Sequence, residues 1–316
     1  MSGANIFNKI LNDLQVKYNR ASQQSVIKPY EFNGYHEPQN ILIKIDKGDF
    51  YAGKSFTPLV VDSYYFIPSS ELIYLRCGKD AKYPVFGDIG FPDLETSSQF
   101  HRKIFPIGDI SNSENVLTLL FFDVDIYSAF GLFSFMELPA MIIPPDDELG
   151  FLVKNIALEE AQDKIGRQNI ITNYIEEIII HLCRYINAEP KYKRNVEKLE
   201  LSGDKRLLDI LKYIKMNLGS DLSNAVLADI ACLAPDYVGQ FFKTMTGKGL
   251  QNYVEAQRLD KSYTLLLQKG NTITQISDIV GFKDTSYFSR RFKSRFGINA
   301  IDVKRKVNFD SNFLVD

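Results

Sequence analysis

Gly281-Phe282-Lys283-Asp284-Thr285-Ser286-Tyr287-Phe288-Ser289-Arg290-Arg291-Phe292-Lys293-Ser294-Arg295-Phe296-Gly297 reads as a glycine turn feeding a short helix with two unlike faces. Phe288, Phe292 and Phe296 stand at i, i+4 and i+8, the spacing of a helix face that turns into a core. Ser286, Ser289, Arg290 and Lys293 stand at i, i+3, i+4 and i+7 and are left to meet something outside. Gly297 suits the C-cap, where a left-handed residue ends the helix.

The same text occurs once before. Asp229-Ile230-Ala231-Cys232-Leu233 resembles Asp278-Ile279-Val280-Gly281-Phe282, 49 residues later. Tyr237-Val238, Phe242-Lys243 and Gly247 recur as Tyr287-Phe288, Phe292-Lys293 and Gly297, 50 residues later. The unit is helix, tight turn, helix, used twice. Thr272 and Gln275 have capping-box spacing at the start of the second copy. A hairpin repeated for packing alone would not need cations at matched outer positions. Between the copies, Leu250 to Gln268 is expected to form one helix with Tyr253, Ala256, Leu259, Tyr263 and Leu266 inward. Its length of roughly 28 Å approaches the ~34 Å between successive major grooves on one face of DNA. One chain would then present two reading helices to neighbouring grooves.

Charge agrees with that partner. Residues 205–307 hold 17 Lys/Arg against 9 Asp/Glu, a balance of +8, whereas residues 1–204 balance to −8. A basic third on an acidic body is the footprint of a nucleic-acid-binding module joined to a different domain. Cys77, Cys183 and Cys232 have neither metal-site spacing nor the density of a disulfide framework. The N-terminus lacks the basic and apolar regions of a signal peptide, and no apolar run reaches membrane-spanning length. A cytoplasmic chain without membrane contact is the expectation.

Up to about Pro145 the text is strand-like. Ile41–Ile45, Ser63–Ile67, Leu72–Arg76 and Val116–Tyr127 are β-branched or aromatic runs with Gly, Pro and Ser between them, the pattern of a β-sandwich or barrel. Asp123, Val124, Asp125 and Ile126 alternate, as in a strand passing from core to edge. Asp146-Asp147-Glu148 opens a helix with acids where the dipole favours them. A second helix, about Arg167 to Ile186, carries Ile171, Tyr174, Ile175, Ile178, Leu182 and Tyr185 in one stripe. That stripe is expected to pack on its own β-domain, with a self-association face as the alternative. Residues 189–204 are polar and aperiodic and read as the linker. The organisation is therefore a β-domain over 1–188, a linker, an all-α domain over 205–307 and a loosely held tail over 308–316. The fold class is α+β overall.

The C-terminal third resembles the AraC/XylS family of bacterial transcription regulators, whose DNA-binding domain has two helix-turn-helix motifs. The resemblance is carried by Ile276, Asp278-Ile279, Val280-Gly281-Phe282, Tyr287-Phe288-Ser289-Arg290, Phe292-Lys293 and Phe296-Gly297, and by Tyr253, Arg258-Leu259 and Leu265-Leu266 of the joining helix. Two departures stand out. Asn299-Ala300 replaces the family's usual Ser-Pro, and the first copy has Gly239-Gln240 where an arginine is frequent, with an acidic Asp236 beside it. The resemblance implies that Thr285, Ser286, Ser289 and Arg290 face base edges, Arg290 toward guanine, with Asp236, Gly239 and Gln240 equivalent in the weaker first copy. Lys243, Arg291, Lys293 and Arg295 are implied as phosphate contacts.

Many members carry an N-terminal cupin-like barrel that binds a small effector, and the arrangement here is similar. His36, His101 and His181 are too scattered for a cupin metal site, so no metal, cofactor or catalytic residue is expected. Tyr64, Tyr65, Phe66, Tyr74, Phe121 and Phe122 read as core before pocket lining. Nothing in the spacing of Arg76 and His101 singles them out as ligand-orienting groups. The implied function is a sequence-specific DNA-binding regulator, with double-stranded DNA, a small effector, RNA polymerase and a second copy as the partners implied. A β-domain controlled by another protein is the alternative, and a metal-free enzyme is a distant third.

Overall fold

The apolar runs of the first 145 residues build two antiparallel sheets around one core. The computed structural model describes residues 3–26, 29–78, 100–103, 114–162, 164–268 and 270–310. The chain divides into two units, Met1–Ile126 with Gly131–Val196, and Tyr127–Phe130 with Glu197–Asp316.

In unit 1, a short helix α1 (Gly3–Leu11) precedes strands β1 (Leu14–Val26), β2 (Tyr30–His36), β3 (Asn40–Lys47), β4 (Phe50–Ala52), β5 (Thr57–Leu59), β6 (Tyr64–Ile67), β7 (Leu72–Cys77), β8 (Phe100–Lys103) and β9 (Asn115–Ile126). After them come β10 (Phe130–Gly131), helix α2 (Leu132–Met136), β11 (Met141–Ile143) and helices α3 (Asp147–Glu160) and α4 (Arg167–Ala188). The larger sheet runs β11-β6-β3-β9-β1-β8, with β10 beside β9, and the smaller runs β2-β7-β4-β5.

Alternation decides which side chains meet. Ile41, Ile43 and Ile45 of β3 and Leu117, Leu119 and Phe121 of β9 face Tyr30, Phe32, Ile73 and Leu75 of the smaller sheet in one core. The opposite face of the larger sheet is buried too, where Phe66 stacks on Phe122 at 6.3 Å and meets Phe133 of α2 edge-on at 4.7 Å. Two buried faces explain why β9 opens as an unbroken apolar run. Its pairing with β3 ends where Asn40 meets Phe122, beyond which Asp123 to Ile126 pair with β1 alone and the alternation begins.

Asp146 caps α3 by accepting from the Leu149 amide at 2.8 Å. The stripe of α4 is used inside unit 1, since Ile171, Ile175, Ile178 and Leu182 are fully buried and the helix packs on α3, β1 and α1. It is not an open self-association face. His181 of α4 stands 3.4 Å from Glu148. His36 is buried, and His101 lies on β8, where its side chain falls outside the described residues. Arg76 pairs with Glu31 at 2.8 Å and lies over the Phe56 ring, roles internal to the smaller sheet.

The expected linker is not irregular. Residues 189–204 form a 3₁₀ turn at Pro190–Tyr192, a short helix α5 (Lys193–Glu197) and a second 3₁₀ stretch at Lys198–Gly203. Tyr192, Val196 and Leu199 are buried. Those spaced apolar residues anchor a stretch whose composition alone looked like a hinge.

Unit 2 contains α6 (Lys205–Met216), α7 (Asn224–Ile230), α8 (Pro235–Thr246), α9 (Leu250–Leu266), α10 (Ile273–Ile279), α11 (Thr285–Phe296) and α12 (Ala300–Asp310). The last helix extends past the expected end at Val307, while residues 311–316 lie outside the described residues. Helix α9 stops at Leu266 rather than Gln268, a length of about 25 Å. Val254 and Ser262 are buried along it, whereas Tyr253 and Ala256 are half-buried. Helices pack on α9 from both motifs, so its buried positions do not follow one stripe.

One buried acid tests the packing of unit 1. Burial pushes the Glu37 carboxyl up to about 7, with Arg20 pulling it down and Asp123 pushing it up. The folded state therefore binds this proton more tightly than the unfolded chain, whose carboxyl titrates near 4.5. The stability it contributes is full below the lower value and is lost as pH rises through the upper one. Urea melts across this range should show Glu37→Gln flattening the decline. At about pH 8 the variant should exceed wild type by on the order of 2–3 kcal/mol. Parallel curves for the two proteins would show that Glu37 titrates normally.

Candidate nucleic-acid interface

The two motifs open by different local chemistry and close alike. In the second, Thr272 accepts from the Gln275 amide at 3.2 Å while Gln275 accepts from the Thr272 amide at 2.8 Å, closing the capping box at the start of α10. Asp284 then caps α11 by accepting from the Tyr287 amide at 2.6 Å. In the first, Pro235 occupies the opening turn of α8, where no amide is needed. Both second helices end alike. Gly247 and Gly297 have φ +75° and donate to the carbonyls of Lys243 and Lys293 at 2.8 Å.

The inner face of α11 is fixed by aromatics. Phe288 and Phe292 are fully buried, Phe292 stacks on Tyr263 of α9 at 5.8 Å, and Phe296 lies 4.6 Å from Phe292. That leaves Ser286, Ser289, Arg290 and Lys293 exposed, with Thr285 half-buried. The Ser289 hydroxyl donates back to the Thr285 carbonyl at 2.9 Å, so it meets an outside group as an acceptor. On α8, Asp236 and Gln240 are exposed and Gly239 is half-buried. A β-carbon on Gly239 would meet only Asn224 Nδ2 at 3.6 Å, an ordinary contact, so packing does not require glycine there.

The four cations expected at phosphates fall into two classes. Lys243 and Lys293 are exposed and have no ion pair among the described residues. Arg291 and Arg295 instead face α9. Arg291 Nε donates to Glu255 at 2.8 Å, and the Tyr287 hydroxyl donates to the other oxygen of that carboxylate at 2.6 Å. Burial opposes the Glu255 charge, yet the Arg291 and Tyr287 bonds win and hold its pKa below the usual carboxylate value. Arg295 grips Asp260 with two bonds of 2.7 and 2.8 Å. These arginines clamp α11 to α9, a geometry that binds planar carboxylates well. Of the four, Lys243 and Lys293 are the two without an ion pair among the described residues.

A junction missed by pattern reading holds the two motifs in one frame. Arg258 of α9 donates Nε to the Leu218 carbonyl at 2.9 Å and Nη2 to the Ser220 carbonyl at 2.8 Å. The loop it holds precedes the first motif and packs on the turn of the second. A β-carbon on Gly281 would lie 2.6 Å from the Leu218 oxygen and 2.8 Å from Arg258 Nη2. One on Gly219 would lie 2.5 Å from the Ile279 oxygen. Gly281 also has φ +88°, a region that L side chains avoid. Its counterpart Cys232 takes φ +52° with a side chain.

The matched turns give opposite expectations for one residue type. Gly281→Ala should destabilise unit 2 by more than about 2 kcal/mol, from left-handed strain plus the clash. Cys232→Gly should stabilise it by up to ~1 kcal/mol, the relieved strain being offset partly by chain entropy. Calorimetry on the full chain checks both, and shifts of the same sign would contradict the reading.

The family profile described as "Helix-turn-helix domain" matches residues 227–306, which hold most of both motifs. The Transposon Tn10 TetD protein of Escherichia coli is 30% identical over 127 residues, 38% of this chain and 92% of its own length. The uncharacterized HTH-type transcriptional regulator YobQ of Bacillus subtilis is 34% identical over 88 residues, 28% of this chain and 36% of its own. The arabinose operon regulatory protein of Escherichia coli is 29% identical over 133 residues, 42% of each chain. For several curated relatives, YobQ included, the match spans about a third of their length. Among solved structures, ToxT from Vibrio cholerae aligns over 93% of this chain and 98% of its own at 12% identity, with a TM-score of 0.47, too loose a likeness to build on.

Proposed function

Because the chain belongs to the AraC-type family of helix-turn-helix transcription regulators, we propose that unit 2 binds specific DNA with α8 and α11 in successive major grooves, and that unit 1 controls it through a small effector. The observation that carries this reading is the pair of equivalent helices, each with an exposed, unpaired lysine at the same position in its last turn, Lys243 and Lys293. They share one frame set by α9.

The roles differ by chemistry. Arg290 carries a planar five-donor group and has no hydrogen bond or ion pair among the described residues, which suits the two acceptors of guanine. Gln240 suits adenine, although its amide rests 3.4 Å from Thr244 in the free protein. Asp236 opens α8, where the helix dipole favours an acid. It opposes a phosphate, so the first motif is the weaker reader. Lys243 and Lys293 fix position by charge and specify nothing.

Footprinting and titration on DNA from the chain's own promoter region test the assignment. Arg290→Ala should cost ~1–3 kcal/mol and relax preference at one base pair. Lys293→Ala should weaken all sequences alike and reduce the salt slope by about 1. Arg291→Ala should lower the melting temperature and leave the salt slope unchanged, since its charge already has a partner. A salt slope that falls with Arg291→Ala as much as with Lys293→Ala would return Arg291 to the phosphate set.

A further inference from the structure

Glycine in the middle of a helix loses more chain freedom than any other residue, so its presence there calls for a reason. Gly239 is the fifth of the twelve residues of α8, and the fold supplies none. Its φ is negative, as in any helix. A β-carbon there would meet only Asn224 Nδ2, at 3.6 Å. Asn224, the first residue of α7, is thus the group that faces this notch. Its Oδ1 accepts from Gln251 Nε2 of α9 at 3.0 Å, and the same nitrogen donates to the Leu222 carbonyl at 2.9 Å. A side-chain amide with its oxygen bound on one side turns its two N–H donors to the other. Asn224 Nδ2 therefore stands beside Gly239, on an exposed side chain, with no hydrogen bond among the described residues.

The second motif has no such arrangement. At the offsets of the repeat, Asn224, Gly239 and Gln251 correspond to Ile273, Ser289 and Ile301. Ile273 packs against the core of its motif, and Ile301 is exposed. Two amides and a glycine from three helices meet in one copy alone. It is the copy that carries Gln240 where its twin carries Arg290. Asp221, the acid nearest in sequence to Asn224, is turned to the Ser223 amide and hydroxyl at 3.0 and 3.3 Å.

We propose that Asn224, oriented by Gln251 and left uncovered by Gly239, donates to a phosphate oxygen of DNA at the edge of the groove that α8 enters. The proposal rests on the DNA-binding reading above. In a helix-turn-helix the second helix lies in the groove while the first crosses the backbone. A donor on α7 beside the middle of α8 accordingly meets phosphate before it meets a base. Glycine at 239 keeps that approach open, because a side chain there would lie against the nitrogen that makes the contact. The amide is uncharged and displaces no counterion. It strengthens binding to every sequence without adding to the salt dependence, which separates its role from that of Lys243.

Anisotropy titrations of the full chain against its promoter site and against random DNA, over a salt series, test the proposal. Asn224→Ala should weaken both DNAs alike by about tenfold and leave the salt slope unchanged. Lys243→Ala, measured beside it, should reduce that slope by about 1. Gly239→Ala should raise the melting temperature, since alanine favours helix, and yet weaken binding. In the Asn224→Ala background it should cost no further affinity. Gln251→Leu should likewise weaken binding only while Asn224 is present, as a positioning residue must. Unchanged affinity in Asn224→Ala, a loss confined to one base pair, or additive losses from Asn224→Ala and Gly239→Ala would overturn the contact. If Lys243→Ala responds and Asn224→Ala does not, the contact alone fails. A chain that binds all DNA equally would remove the regulator reading, and a tenfold loss in Asn224→Ala on that DNA would still keep the contact.

Discussion

The Arg258 guanidinium is the point on which the geometry of unit 2 turns. It belongs to the joining helix, ties down the loop before the first motif, and bears on the glycine turn of the second. Two carbonyls left open by the loop at 218–220 are satisfied by one rigid planar group, which also sets how closely the motifs approach. Glycine at 219 and 281 is the steric condition for that approach. Two reading helices address one DNA site at lower ordering cost when their separation is fixed before binding. A lone α9 would fix distance but not rotation, and the junction supplies the rotation.

The motifs hang from this frame by different forces. Helix α11 is clamped by ion pairs from Arg291 and Arg295 to α9. The repeat places Phe241 and Met245 of α8 where those arginines stand in α11. Phe241 lies under Arg206 at 4.7 Å, and Phe242 packs on Tyr253 at 5.3 Å. Exposed ion pairs weaken with salt whereas apolar contacts do not. The duplication has therefore diverged on both sides of each helix, in what anchors it inside and in what it offers outside.

Much of unit 2 is legible in the sequence because its signals are local. The 49 and 50-residue offsets, the Thr272–Gln275 box, the terminal glycines and the phenylalanine spacing each operate within a turn or two of helix. The partners of Arg291 and Arg295 lie 36 and 35 residues away, on a different helix. A polar face reads identically whether it meets phosphate or a neighbouring carboxylate, so pattern alone does not separate the two arginines held by carboxylates from the two open lysines. Arg258 was visible as a family residue but not as a junction. In unit 1, β3, β6, β7 and β9 announce themselves by β-branched and aromatic runs. Strand β1 does not, because Ser22-Gln23-Gln24-Ser25 are buried polar residues on a strand lying between β9 and β8. Thr118 and Gln23 there share Asp46 through bonds of 2.6 and 3.3 Å, a network no periodicity betrays.

The central claim is that a rigid frame makes two helices into one reader. It is tested most directly by measuring affinity for the chain's DNA site with about 5 bp, half a helical turn, inserted between the two half-sites. The frame predicts that affinity falls to that of a single half-site and that footprint protection of the second half-site disappears. Undiminished affinity with both half-sites protected would mean that the motifs move independently, and the account of unit 2 would be wrong.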